Sequence, residues 1–427
     1  MAIVLFLAFI VLILLSLPIS LSLGLSSLLA MIYKGGIPLT ILAQKMFTGL
    51  DSFPLLAVPF FILAGGFMET GGISARLVKL ASVLVGHIKG GLGMVVIVAT
   101  IFFSGISGSS AADTAAIGSI MIPSMVKRGY PRNLSTAIVA CAGGMGILIP
   151  PCITMIIFAL TANVSVGYLF AAGFMPGALM GLALMVMVYI VARRDNLPSE
   201  PKAACGGMGK AVWDAIPPLI MPLIILGGIL SGVFTATESA VVAVVYGAVL
   251  SMVVYRELHL KDIPMILVNS AKLTGVVMLL VGMSSTFAWI LATQQIPQMI
   301  AQGMLSISTS PWVFMLMVNI LFLFVGTFMD ATPAIIILVP ILFPVATKLG
   351  IDPIHFGTVL VMNLGIGFIT PPVGTCLYVA ASIGKTTLED LFKPLMPFLT
   401  MMIFVLLVVT YWPDLTLFIP RLTGYTR

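Results

Sequence analysis

No charged residue occurs before Lys34, and the rest of the chain keeps that pattern: charges fall in small groups, separated by long apolar stretches. A stretch of about 20 such residues spans the hydrocarbon core of a bilayer as an α-helix. A soluble fold is excluded by the same pattern. Only 8% of the 427 residues are charged, against about 25% in a typical soluble domain, so too few polar side chains exist to cover a water-facing surface. The fold class is therefore an all-α polytopic membrane protein bound by lipid bilayer. The first residues, MAIVLFLAFIVLILL, lack the basic leader of a secretory signal and read as a retained transmembrane segment. Cys141, Cys152, Cys205 and Cys376 are scattered and read as packing residues, and His87, His259 and His355 are isolated. The net charge of +6 reflects basic loops; no basic soluble domain offers a surface to nucleic acid.

A shift of 221 positions lays one half of the chain on the other without a gap. Gly105 falls on Gly326, Pro123 on Pro344, Gly129 on Gly350, Gly144 on Gly365 and Gly146 on Gly367. The doublet Pro150–Pro151 falls on Pro371–Pro372, and Pro176 on Pro397. Glycine and proline make up 68 residues, so chance predicts about one such match, not eight. Paired hydrophobic segments interrupted by Gly and Pro in two halves point to the binding site of a transporter.

Basic residues orient the halves. Arg76, Lys79 and Lys89 lie on one flank of the first unit, and Lys127, Arg128 and Arg132 on the other. Around the second unit, residues 294–312 carry no charge, and the far flank has only Lys348 and Asp352. By the positive-inside rule the first unit starts and ends in the cytoplasm and the second in the periplasm. Arg193, Arg194, Lys202 and Lys210 form a cytoplasmic link between them. The pattern is an inverted repeat with two re-entrant helical hairpins.

Proline removes a backbone donor and clashes with the preceding turn, so Gly144 to Pro151 and Gly365 to Pro372 predict two broken helices. Unwound backbone at membrane depth is tolerated only where protein buries it or it lines a cavity, and its carbonyls suit a hard cation. Ahead of each break lies a polar island, Phe103 to Thr114 and Phe324 to Pro333, whose small residues suit a hairpin tip. Asp113 and Asp330 stand out in them. An aspartate at the centre of a bilayer helix costs about 2.5–3.5 kcal/mol and has a partner or a task; capping of half-helices is the structural alternative. Glu238, within Thr235 to Ser239, reads as a helix cap. Gly384-Lys-Thr-Thr387 lacks the earlier glycine of a phosphate-binding loop, so no nucleotide site is expected.

Gly108 to Gly118, Pro123 to Pro131, Ile149-Pro-Pro151, Gly232 to Ala240, Met329 to Pro333 and Thr370 to Gly374 together resemble the large membrane subunit of the tripartite ATP-independent periplasmic (TRAP) transporters, over nearly the whole chain. The resemblance implies an elevator-type transport domain of two hairpins and two broken helices, sliding against a scaffold. It implies sodium (Na+) as the driving ion and an organic-acid substrate. The implied partners are a periplasmic substrate-binding protein and a small four-helix membrane subunit, here expected as a separate chain. The inner membrane of a bacterium is the implied location.

Carried onto this sequence, the family pattern predicts scaffold helices of the first repeat over 1–50 and a first transport repeat over 51–195, with its hairpin at about 92–126. A cytoplasmic link and scaffold helices follow over 196–262. The second transport repeat covers 263–427, with its hairpin at about 311–347. The substrate set is Ser107, Ser109, Ser110, Asp113, Asp330 and Thr332. The sodium set of the first unit is Ser104, Gly105, Ser107, Gly108 and Ser109 with Gly144 and Gly146. That of the second is Gly326, Thr327 and Met329 with Gly367 and Thr370. No arginine clamp stands at either tip, which suits a carboxylate held by hydroxyls, backbone N–H groups and bound sodium. Overall likeness favours the sialic acid branch, though no pocket residue selects it over C4-dicarboxylates. A stand-alone sodium–carboxylate symporter predicts the same hairpins, and a membrane aspartyl enzyme needs Asp113 and Asp330 side by side.

Overall fold

The computed structural model describes residues 1–426 apart from 16, 200–204, 308 and 373. Lys202 of the expected link and Val373 of the second break lie outside the described residues, as do the side chains of Cys205 and Lys210. The described chain is helical. The first half comprises α1 (Ala2–Leu14), α2 (Ile19–Lys34), α3 (Thr40–Leu50), α4 (Ala57–Thr70), α5 (Ile73–Val85), α6 (Gly91–Ser107), α7 (Ser110–Lys127), α8 (Arg132–Gly146), α9 (Ile153–Ala162) and α10 (Val166–Arg194). The second comprises α11 (Cys205–Leu230), α12 (Ala236–Val249), α13 (Ile263–Thr293), α14 (Ile296–Ile307), α15 (Pro311–Gly326), α16 (Ala331–Lys348), α17 (Pro353–Gly367), α18 (Thr375–Gly384), α19 (Leu388–Tyr411) and α20 (Asp414–Leu422). Seven helical segments among the described residues are long and apolar enough to cross a membrane.

The 221-residue period is built into the backbone. Adding it to the bounds of α7 gives those of α16, and adding it to α8 gives α17. Both proline doublets contain a cis Pro–Pro bond and interrupt a helix at the same place. α6 and α7 pack as one hairpin and α15 and α16 as the other, and each hairpin lies on its own broken helix. The halves also interlock: α18 of the second packs on α7 and α8 of the first, while α9 packs on α16. Around this core, α4 packs on α12, and α13 runs past α2, α3 and α4 to reach α16.

Glu238 closes a capping box at the start of α12: its carboxylate accepts from the Thr235 N–H at 2.7 Å, and its own N–H donates to the Thr235 hydroxyl at 3.2 Å. Cys141, Cys152 and Cys376 are buried and form no disulfide.

A buried polar string runs through the second half. Asn363 donates to Asn319 at 2.8 Å, and Asn319 donates to the Thr410 hydroxyl at 3.0 Å. His355 meets the Thr410 carbonyl at 3.2 Å and the Thr416 hydroxyl at 2.8 Å. These bonds tie α15 to α17 and α19 in an apolar interior, where a lost partner is costly. Asn319→Leu removes one hydrogen bond from each neighbour and is expected to destabilise by about 1–3 kcal/mol. Thermal unfolding of the purified protein in detergent reads this as a lower melting temperature; an unchanged one would show that the string does not hold these helices.

Candidate functional site

The first hairpin turns over two residues. α6 ends at Ser107, Gly108 takes a left-handed φ of 66°, and Ser109 caps α7 by accepting from the Ala112 N–H. Asp113, one turn into α7, is 1% exposed and accepts from the hydroxyls of both Ser104 and Ser107. The Ser107 hydroxyl also accepts the Ser109 N–H at 3.2 Å, so the turn is stitched to the carboxylate behind it. The broken helix completes this cluster. A side chain on Gly146 would run into the Asp113 carboxylate and the Ser104 hydroxyl, so only glycine lets the backbone come so close. The Gly108 carbonyl accepts the Ile153 N–H across the break at 3.4 Å.

The second tip is built differently. α15 stops at Gly326, and Thr327, Phe328 and Met329 lead to Asp330, the N-cap of α16, which accepts the Ala331 N–H at 2.8 Å. In the 221 register Asp330 answers to Ser109, while Asp113 answers to Ala334 and Ser104 to Val325. The carboxylate–hydroxyl cluster therefore has no counterpart in the second unit. Backbone contact replaces it: a Cβ on Gly367 would stand 2.6 Å from the Gly326 Cα. The Thr327 and Thr370 hydroxyls donate to carbonyls of their own helices at 2.8 and 2.7 Å, leaving their lone pairs free to accept.

Gly144 faces elsewhere. A Cβ there would meet the Gly365 carbonyl oxygen at 2.7 Å, and one on Gly365 would meet the Gly144 oxygen at 2.5 Å. Residues two apart on a helix point about 200° apart, so Gly146 looks at the first tip while Gly144 looks at the other broken helix. Gly105 likewise turns from the Asp113 cluster towards Pro222 and the Pro150 carbonyl.

A cavity of about 510 Å³ opens between the tips and the surrounding helices. Ser107, Gly108, Ser109 and Ser110 line it from the first tip, Asp330 and Thr332 from the second, and Thr154 and Thr375 from the far sides of the two breaks. The N-termini of α7 and α16 both reach its wall. Five of the six residues in the expected substrate set are thus on one cavity. Asp113 is not, because the two serine hydroxyls draw its carboxylate behind the tip.

The opposite wall went unread in the sequence. Gly65, Gly66, Glu69 and Thr70 of α4 and Asn269 and Ser270 of α13 complete the cavity. Gly65 touches the first tip directly, since a Cβ on it would lie 3.2 Å from the Ser107 carbonyl oxygen. One signal was there to be read. Between Asp51 and Asp113, Glu69 is the sole acidic residue, and an ionisable group within an apolar helix is a functional pointer by itself.

A family model described as "Tripartite ATP-independent periplasmic transporter, DctM component" matches residues 6–415. The chain is 44% identical over 407 residues to the C4-dicarboxylate TRAP transporter large permease protein DctM of Pseudomonas aeruginosa, covering 94% of each. It is 40% identical over 409 residues to the sialic acid TRAP transporter large permease protein SiaM of Vibrio cholerae, covering 96% of each. The crystal structure of the YdaH transporter of Alcanivorax borkumensis superposes with a TM-score of 0.67 over 88% of this chain and 89% of that one. At 14% identity that likeness speaks for the fold alone.

Proposed function

Because the chain belongs to the DctM family, the large permease subunits of TRAP transporters, we propose that it drives uptake of an organic acid across the bacterial inner membrane with a sodium gradient. It is a multi-pass transport protein rather than an enzyme, and its family works with a small membrane subunit and a periplasmic binding protein. The observation that carries the reading is the cavity between the hairpin tips. Ser107, Ser109, Ser110, Asp330 and Thr332 share it with two helix N-termini, whose partial positive charge suits a carboxylate.

Sodium is a transported co-substrate in this reading. Ser104, Ser107 and Asp113 gather hard oxygen donors against the Gly146 backbone, which fits such an ion. In the second unit Thr327, Thr370 and the carbonyls around Gly326, Met329 and Gly367 are the donors on offer. Gly105, Gly108, Ser109 and Gly144 serve these sites as close-packing or turn residues. The hairpins and broken helices move as an elevator against the scaffold helices, which the separate four-helix subunit widens. Sialic acid is the proposed substrate; the likeness to DctM of Pseudomonas aeruginosa favours a C4-dicarboxylate as the second reading.

The test is uptake of radiolabelled sialic acid into proteoliposomes holding this chain and its small subunit, with and without binding protein and an inward sodium gradient. Uptake is expected to need both and to fall at least about tenfold in Asp330→Ala, the loss of roughly one charged hydrogen bond. Sodium-driven uptake of a different acid discards the substrate and keeps the mechanism. Uptake without binding protein or partner supports a stand-alone carrier instead.

A further inference from the structure

We infer that Glu69 sets substrate class: the cavity takes an acid with one carboxylate and a remainder rich in hydrogen-bond donors, and turns away dianions. The inference rests on the organic-acid reading above. Among the described residues, Glu69 and Asp330 are the only charged side chains on the cavity wall, both acidic, and no Lys, Arg or His joins them. No basic side chain among those residues pairs with Glu69.

The two ends of the cavity differ in chemistry. At the first tip, α7 presents its N-terminus, and Ser110, 7% exposed, has a hydroxyl without a hydrogen-bond partner there. A buried polar atom left unpaired is costly, and a ligand entering at this tip is a partner that would satisfy it. A carboxylate satisfies it and meets the helix dipole at the same point. The opposite wall carries Glu69 and Thr70 of α4 with Asn269 and Ser270 of α13. An ionised glutamate only accepts, whereas hydroxyl and amide side chains can do both. Hydroxyl, amide or ammonium groups of a substrate can donate to this wall. A second carboxylate would face Glu69 with no basic side chain among the described residues between them, and like charges at that range repel each other.

The test measures direct binding to this chain with its small subunit, in detergent and saturating sodium, without the binding protein. The probes are sialic acid, gluconate as a hydroxylated monoanion, and succinate as a dianion. Gluconate is expected to bind at least about tenfold more tightly than succinate, and Glu69→Gln to close that gap by about tenfold through tighter succinate binding. Asn269→Asp adds a carboxylate to the same wall and is expected to widen the gap. Ser110→Ala is expected to weaken all three acids alike. An unchanged gluconate-to-succinate ratio in both Glu69→Gln and Asn269→Asp would overturn the inference while leaving organic-acid transport standing. If none of the acids binds and none is taken up in proteoliposomes, the transport reading fails first and this inference with it.

Discussion

Asp113→Ala is expected to lower sodium-driven uptake by about a hundredfold or more, because two hydrogen bonds to a charged acceptor, each about 1.5–3 kcal/mol, go at once. The hydroxyls of Ser104 and Ser107 both end on that carboxylate, and the Ser107 hydroxyl in turn holds the Ser109 N–H at the turn. Without it the first tip loses the group that shapes it, and the cluster loses its only formal charge. Asp113→Asn separates those two effects, since it keeps the volume and one acceptor but removes the charge. If the carboxylate binds sodium, Asn raises the sodium concentration needed for half-maximal uptake while surface expression and melting temperature stay near wild type. If it only shapes the turn, the sodium dependence of Asn matches wild type. Uptake by Asp113→Ala at the wild-type rate would remove the residue from both roles.

Gly367→Ala is expected to have the next largest effect. The new Cβ would stand 2.6 Å from the Gly326 Cα and 2.7 and 2.8 Å from its carbonyl carbon and oxygen. Carbon atoms in contact sit about 3.5–4.0 Å apart, so the tip and the broken helix must part by about 1 Å. Both sides are backbone, and no flexible side chain can yield. Overpacking of this kind costs about 1–3 kcal/mol, enough to lower the melting temperature by several degrees. Uptake should fall further than stability, because the displaced atoms belong to the second tip itself. Gly275→Ala on α13 is the control: nothing lies within 4 Å of its Cβ position, and it should be silent. Equal uptake by the two variants would show that the Gly326–Gly367 contact is not needed for transport.

The sequence carried the architecture well and the tips less well. A gapless register with shared prolines transmits directly into the backbone, which is why α7 and α8 reappear as α16 and α17. Side chains within that frame are free to diverge. Asp113 and Asp330 look like counterparts as the lone aspartates of two polar islands, yet they occupy positions four residues apart in the register. One is folded inward by neighbouring hydroxyls, and the other caps a helix on the cavity wall. Gly144 and Gly146 read as one ion-site pair, but helical geometry sends them to opposite sides. Glu69 and Asn269 escaped because they lie far from the tips in sequence and meet them only through packing of α4 and α13. Their polarity within apolar helices was the legible signal.

The meeting of Gly144 with Gly365 marks a symmetry axis inside the chain. The two are separated by 221 positions, the repeat length itself, so each touches its own equivalent. In a self-complementary contact between two equivalent units, equivalent residues meet at the twofold axis. Enlarging either residue would drive its side chain into the other's carbonyl oxygen, 2.7 Å away in one direction and 2.5 Å in the other. Away from the axis the two tips carry different chemistry, while at it the size of one residue is tied to that of the other.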